Sequence, residues 1–171
     1  MPRLLAIYLN DHLAGSVVGV ELARRLRASN RDDPEFGPAL IGICAEIEAD
    51  RTTLLRLMER LGVRRDVAKP ALAWTAEKLG RLKLNGQLHG YSPLSRLVEL
   101  EGLGVGIVGK AQLWRALERS LDSVEGFDFE QLTERAERQR EAIEELRLKA
   151  AVRALSAAKP DRSTPEQRTQ R

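Results

Sequence analysis

The sequence predicts an all-α fold, an antiparallel four-helix bundle with a fifth helix at its C-terminus. Leu and Ala together make up more than a quarter of the 171 residues, and both favour helix. Apolar positions recur every three to four residues through five long stretches, and no stretch alternates with a period of two. Aromatic residues amount to only 4%, so the interior has to be aliphatic.

The first helix is predicted over 4–28, where Leu5, Leu9, Leu13, Val20 and Leu26 form the apolar stripe. Arg24, Arg25 and Arg27 crowd its last turn, where cations suit the helix dipole, and residues 29–34 read as a loop. The second helix is predicted over 38–61 on Leu40, Ile43, Ile47, Leu54, Leu57 and Leu61, with Gly62 closing it in the position after the cap. A third is predicted over 66–84, with Asp66 as N-cap, Pro70 in the first turn, and Leu72, Trp74, Leu79 and Leu82 as its apolar surface. Ser92 and Pro93 open the fourth as N-cap and first residue; it runs to about 121 and is apolar on nearly every side between Val98 and Trp114. Asp128 caps the fifth, over 128–157, whose stripe of Leu132, Ala136, Ile143, Leu146 and Ala150 is sparse among many Glu and Arg. That sparseness predicts a position outside the bundle or against a second chain, so a homodimer is expected. Residues 1–157 are read as a single domain. Residues 158–171, with Pro, Ser, Thr and Gln and almost no apolar side chain, are read as a disordered basic tail.

Charge narrows the partners. There are 28 Lys and Arg against 25 Asp and Glu, and part of the +3 surplus sits in that tail, so nucleic acid is not an expected partner. The Arg-rich bias of the basic residues suits a GC-rich, bacterial coding source. The single cysteine, Cys44, cannot close an intrachain disulfide, and it lies in an apolar run as a buried, inert thiol would. No stretch reaches about 18 uninterrupted apolar residues. The expectation is a cytoplasmic protein with no membrane span.

Gly104-Val-Gly106-Ile-Val-Gly109-Lys110-Ala111 satisfies two glycine-rich phosphate-loop patterns at once. Both patterns need a strand before the loop, and one needs Ser or Thr where Ala111 stands. The preceding residues read as a capped helix, so no nucleotide is expected, and the glycines read as close helix contact. With two histidines and no Ser-His-Asp or Cys-His arrangement, no hydrolase triad is legible.

The polar residues inside the helices are the sharper signal. With alternating helices, His12, Asp50 and Glu77 lie about eight to eleven residues from one end, and Glu101 falls at nearly that level. Asp50 and Glu101 also fall on apolar stripes, Ile47-Asp50-Leu54 and Leu94-Val98-Glu101-Val105. His12, Asp50, Glu77 and Glu101 are therefore the candidate mid-bundle cluster. It would be held either by a divalent metal or by cations such as Arg51, Lys83 and Lys110, because a buried carboxylate needs a partner. The Glu-x-x-His pair of carboxylate-bridged di-metal bundles is absent: Glu46, Glu48, Glu99 and Glu101 are followed three residues later by Ala49, Arg51, Gly102 and Gly104.

Over about residues 4–121, the helix plan, with Glu21, the Glu46–Glu48 cluster, Glu77 and Glu101, resembles the ferritin-like superfamily. Tyr-Leu-Asn-Asp-His-Leu-Ala-Gly at 8–15, Val98-Glu99-Leu100-Glu101, and Gly109-Lys110 followed by Leu113-Trp114 resemble a group of small bacterial helical proteins within it. That resemblance implies iron storage, oxygen activation or radical chemistry. The residues themselves predict a non-catalytic structural or interaction module. The alternative is a ferritin-like metal-binding protein or metal-dependent oxidoreductase using the mid-bundle carboxylates. Neither a substrate nor a small-molecule ligand is specified by the sequence.

Overall fold

A computed structural model describes residues 2–66 and 91–156. Among them it holds four long helices and no strand: α1 (Arg3–Ser29), α2 (Phe36–Arg60), α3 (Pro93–Ser120) and α4 (Phe129–Leu155). The expected third helix at 66–84, with Glu77, Trp74 and Lys83, and the expected tail at 158–171 lie outside the described residues.

Local chemistry sets the ends. The Ser92 hydroxyl accepts from Ser95 N–H at 3.0 Å and starts α3, and Asp128 accepts from Gln131 N–H at 2.9 Å and starts α4. Gly62, at φ 65°, takes the left-handed turn that closes α2. The α1–α2 connection is tied by Asp33, whose Oδ1 accepts the N–H groups of Glu35 and Phe36. Gly37 follows at a close approach: a Cβ there would lie 2.8 Å from the Arg31 carbonyl oxygen.

Neighbouring helices run antiparallel. Arg24 of α1 meets Glu48 of α2, while Asn10 reaches past the end of α2 to the Arg64 carbonyl. Arg25 pairs with Glu99 near the start of α3, and Leu9 and Leu13 pack in one cluster with Leu113 and Leu117 near its end. Arg115 of α3 pairs with Glu137 of α4, and Glu35 at the head of α2 pairs with Lys149 near the end of α4. α2 and α3 therefore point the same way. Asp66 is held against Asn10 and Tyr91 against Asn30, so these two residues lie at opposite ends of the bundle.

The aliphatic core falls into two clusters. One gathers Leu26, Phe36, Leu40, Leu100, Ile143 and Leu146; the other gathers Leu13, Leu57, Met58, Trp114, Leu117 and Phe129. Each fully buried large side chain contributes about 1.5–3 kcal/mol. On α1 the gap between Leu13 and Val20 holds Gly15, Ser16 and Gly19. On α2 Asp50 separates Ile47 of one cluster from Leu54 of the other.

Two expectations need correction. The C-terminal helix is not an outer decoration. Its stripe of Leu132, Ala136, Ile143, Leu146 and Ala150 is buried within this one chain, and α4 forms a full wall of the bundle beside α3. The stripe that suggested a homodimer is thus already covered, and the apolar side chains α4 leaves outside are Leu148, Val152 and Leu155. The face expected to bury Glu101 is also turned the wrong way. Leu94 is 37% and Val105 75% exposed, while Leu97, Leu100, Leu103 and Ile107 form the buried stripe. On a helix apolar nearly all round, periodicity alone does not select the inner face.

Candidate functional site

Between the two core clusters lies a charged layer built on Asp50. Its carboxylate, 3% exposed, pairs with Lys110 of α3 and Arg135 of α4, and accepts from the Gln139 amide at 3.2 Å. Gln139 receives Lys110 Nζ on its carbonyl oxygen and donates to Glu46 at 2.8 Å. Three helices are thereby locked at one level. A carboxylate sealed from water is tolerated when cations and hydrogen bonds fill its lone pairs, as here. Burial holds the Lys110 ammonium below its usual range, against the opposing pull of Asp50.

Beside this layer, between α1, α2 and α3, lies a cavity of about 220 Å³. One side is polar, with His12, Asp50, Arg51 and Lys110; the rest is apolar, including Leu54, Ile107 and Trp114. Space comes from glycine: a Cβ at Gly15, Gly19, Gly106 or Gly109 would meet nothing within 4 Å. The His12 ring rests edge-on against Tyr8, 4.6 Å between centroids. Burial lowers its pKa below 6.5, over a smaller opposing effect of Asp11, so the imidazole is neutral at physiological pH. Among the described residues, the buried N–H groups of two lining side chains, Arg51 Nε and Trp114 Nε1, find no acceptor.

Of the four site residues expected from sequence, His12 and Asp50 border this one cavity. Glu101 does not: its side chain is 49% exposed and lies 3.9 Å from Arg147 on another face of α3. Glu77 lies outside the described residues. Among the described residues, no three His, Cys, Asp or Glu side chains are grouped so as to hold a metal. Asp50 is already committed to two cations, so the donors described do not fit the di-metal centre that a ferritin-like plan implies.

Sequence reasoning missed Arg135 and Gln139, because α4 was expected outside the bundle. A Gln at a position flanked by Ala136 and Ile143 on the stripe was the signal. It also missed a second polar node at the upper end, where Glu99, 0% exposed, pairs with Arg25 at 2.7 Å and accepts from the Tyr91 hydroxyl at 3.0 Å. Burial raises the Glu99 pKa despite both partners. The Gly104–Lys110 run lies within the continuous helix α3, where its N–H groups belong to the helix ladder and Lys110 to Asp50. Cys44 is buried, donates to the Ala23 carbonyl oxygen at 3.1 Å, and has its thiol pushed up by burial to about 11. Among the described residues no helix is long and apolar enough to cross a membrane. Comparison with known protein families, curated proteins and solved structures finds no match for this chain.

Proposed function

We propose that the protein is a non-catalytic binding module whose ligand enters the cavity between α1, α2 and α3. The observation that carries this is a cavity placed where the aliphatic core is interrupted, beside a charged layer that fills its own hydrogen bonds. A catalyst needs an acid, base or nucleophile free to act on the bound group. Asp50, Lys110 and Gln139 are engaged with one another, and the cysteine thiol is buried and bonded elsewhere, which leaves the neutral imidazole of His12 at the cavity wall with no second acid or base among the described residues to complete a pair. The apolar wall with a few polar groups on one side has the make-up of a small-molecule site.

One observation favours the metal-binding, ferritin-like reading as an alternative. α2 and α3 run parallel, with Asp66 and Tyr91 at opposite ends of the bundle, an arrangement compatible with the long crossover of ferritin-like bundles. The carboxylates described do not supply the matching site, so this reading stands second.

Amide chemical shifts of the full chain, followed through a fragment library, test the choice. Hits are expected to move Gly15, Gly19, Gly106 and Gly109 together. A library without such hits sinks the binding reading. Stoichiometric iron, manganese or zinc retained through dialysis, and lost in Asp50→Asn, brings the metal reading forward.

A further inference from the structure

Among the described residues, the cavity's polar side offers few free acceptors. Asp50 is the acidic side chain on its wall, and its oxygens are taken by Lys110, Arg135 and Gln139. Arg51 sits one residue on, lines the same cavity, and has no acidic partner among the described residues; its Nε is buried with no hydrogen bond. With Asp50 matched by Lys110 and Arg135, the Arg51 charge is in excess among the described residues of this wall. A guanidinium without an acidic partner calls for a ligand that accepts hydrogen bonds and carries negative charge, and a carboxylate matches the guanidinium fork. The remaining wall is aliphatic, and a volume of about 220 Å³ exceeds the roughly 150 Å³ cavity that holds one benzene ring.

We infer that the ligand is a small monocarboxylate with an apolar body, its head on Arg51 and its chain or ring along Leu54, Ile107 and the Trp114 face. This rests on the binding reading above and narrows it to a chemical class. Glycine at 15, 19, 106 and 109 leaves the channel for the body open, and neutral His12 adds a polar edge without a competing charge. A cationic ligand would meet the Arg51 charge, which has no acidic partner among the described residues. A neutral alcohol of the same length would fill the apolar part and leave the guanidinium charge unmatched.

Calorimetric titration of the full chain with octanoate, 1-octanol and octylammonium decides it. Octanoate is expected to bind one to one, at least about tenfold more tightly than octanol, with octylammonium weakest. Arg51→Gln is expected to weaken octanoate about tenfold or more and leave octanol unchanged, in protein whose circular dichroism matches the parent. Gly106→Leu, which puts a side chain into the open space, is expected to remove binding of both. Octanol binding as tightly as octanoate, or no effect of Arg51→Gln, overturns the carboxylate inference and leaves the cavity reading in place. No binding of any of the three, or binding that survives Gly106→Leu, overturns both.

Discussion

Asp50 and Glu99 are both closed off from solvent, at 3% and 0% exposure, but they are compensated differently. Asp50 receives an ammonium, a guanidinium and an amide from two other helices. Glu99 receives one guanidinium, from the partly exposed Arg25, and one phenol. For Glu99 the loss of hydration outweighs both partners, and its pKa rises; burial acts on Tyr91 in the same direction. The difference teaches that depth alone does not decide the character of a buried acid. What decides it is how many helices can aim a donor at the same point. Asp50 stands where α2, α3 and α4 come level, whereas Glu99 stands near the bundle's end, where the loop residue Tyr91 replaces a second cation.

The largest test of this contrast is removal of each acid. Asp50→Ala leaves Lys110, Arg135 and Gln139 without their acceptor and is expected to cost about 3–5 kcal/mol in chemical denaturation. Glu99→Gln keeps an amide oxygen for both partners and is expected to cost about 1 kcal/mol near neutral pH. Equal losses would mean that the two nodes do the same structural work.

A smaller effect sharpens the contrast through pH. The Glu99 carboxyl has a folded pKa raised above its ordinary 4.5, so the folded state favours the protonated form. Its contribution to stability is complete below that value and is lost as pH rises through the raised one. The stability of the parent relative to Glu99→Gln is therefore expected to fall between pH 4.5 and neutrality, as read from urea midpoints. A flat difference across that range would show that the partners of Glu99 fully offset its loss of hydration.

The smallest expected effect is the coupling between the nodes. Lys110 and Glu99 stand eleven residues apart on α3, about 16 Å along the helix. The double variant Asp50→Asn with Glu99→Gln should therefore be additive within about 0.5 kcal/mol. A larger coupling in unfolding measurements would join the two nodes into one network.

Much of the architecture was legible beforehand because helix ends and periods are local properties. Ser92-Pro93, Asp128 and Gly62 mark the ends they were expected to mark, since capping and left-handed turns depend on a handful of adjacent residues. The level of Asp50 was legible too, from its stripe and the rise of a helix. The inward face of α3 was not, because Val98–Trp114 offers apolar side chains all round and only the packing of α1 and α4 selects Glu99 over Glu101. The role of α4 was hidden by its many charges, which lie on the faces its narrow stripe leaves outside.

By itself the chain's sequence determined four of its rods, their ends, and an acid placed at mid-height on α2, all consequences of spacing within a single segment. The tertiary structure alone decided that Lys110, Arg135 and Gln139 converge on that acid, that Arg51 has no acidic partner among the described residues, and that glycines from two helices leave the space between. Those facts depend on the relative rotation and height of separate helices, which is set by how their side chains interlock and is not encoded in any one segment's periodicity.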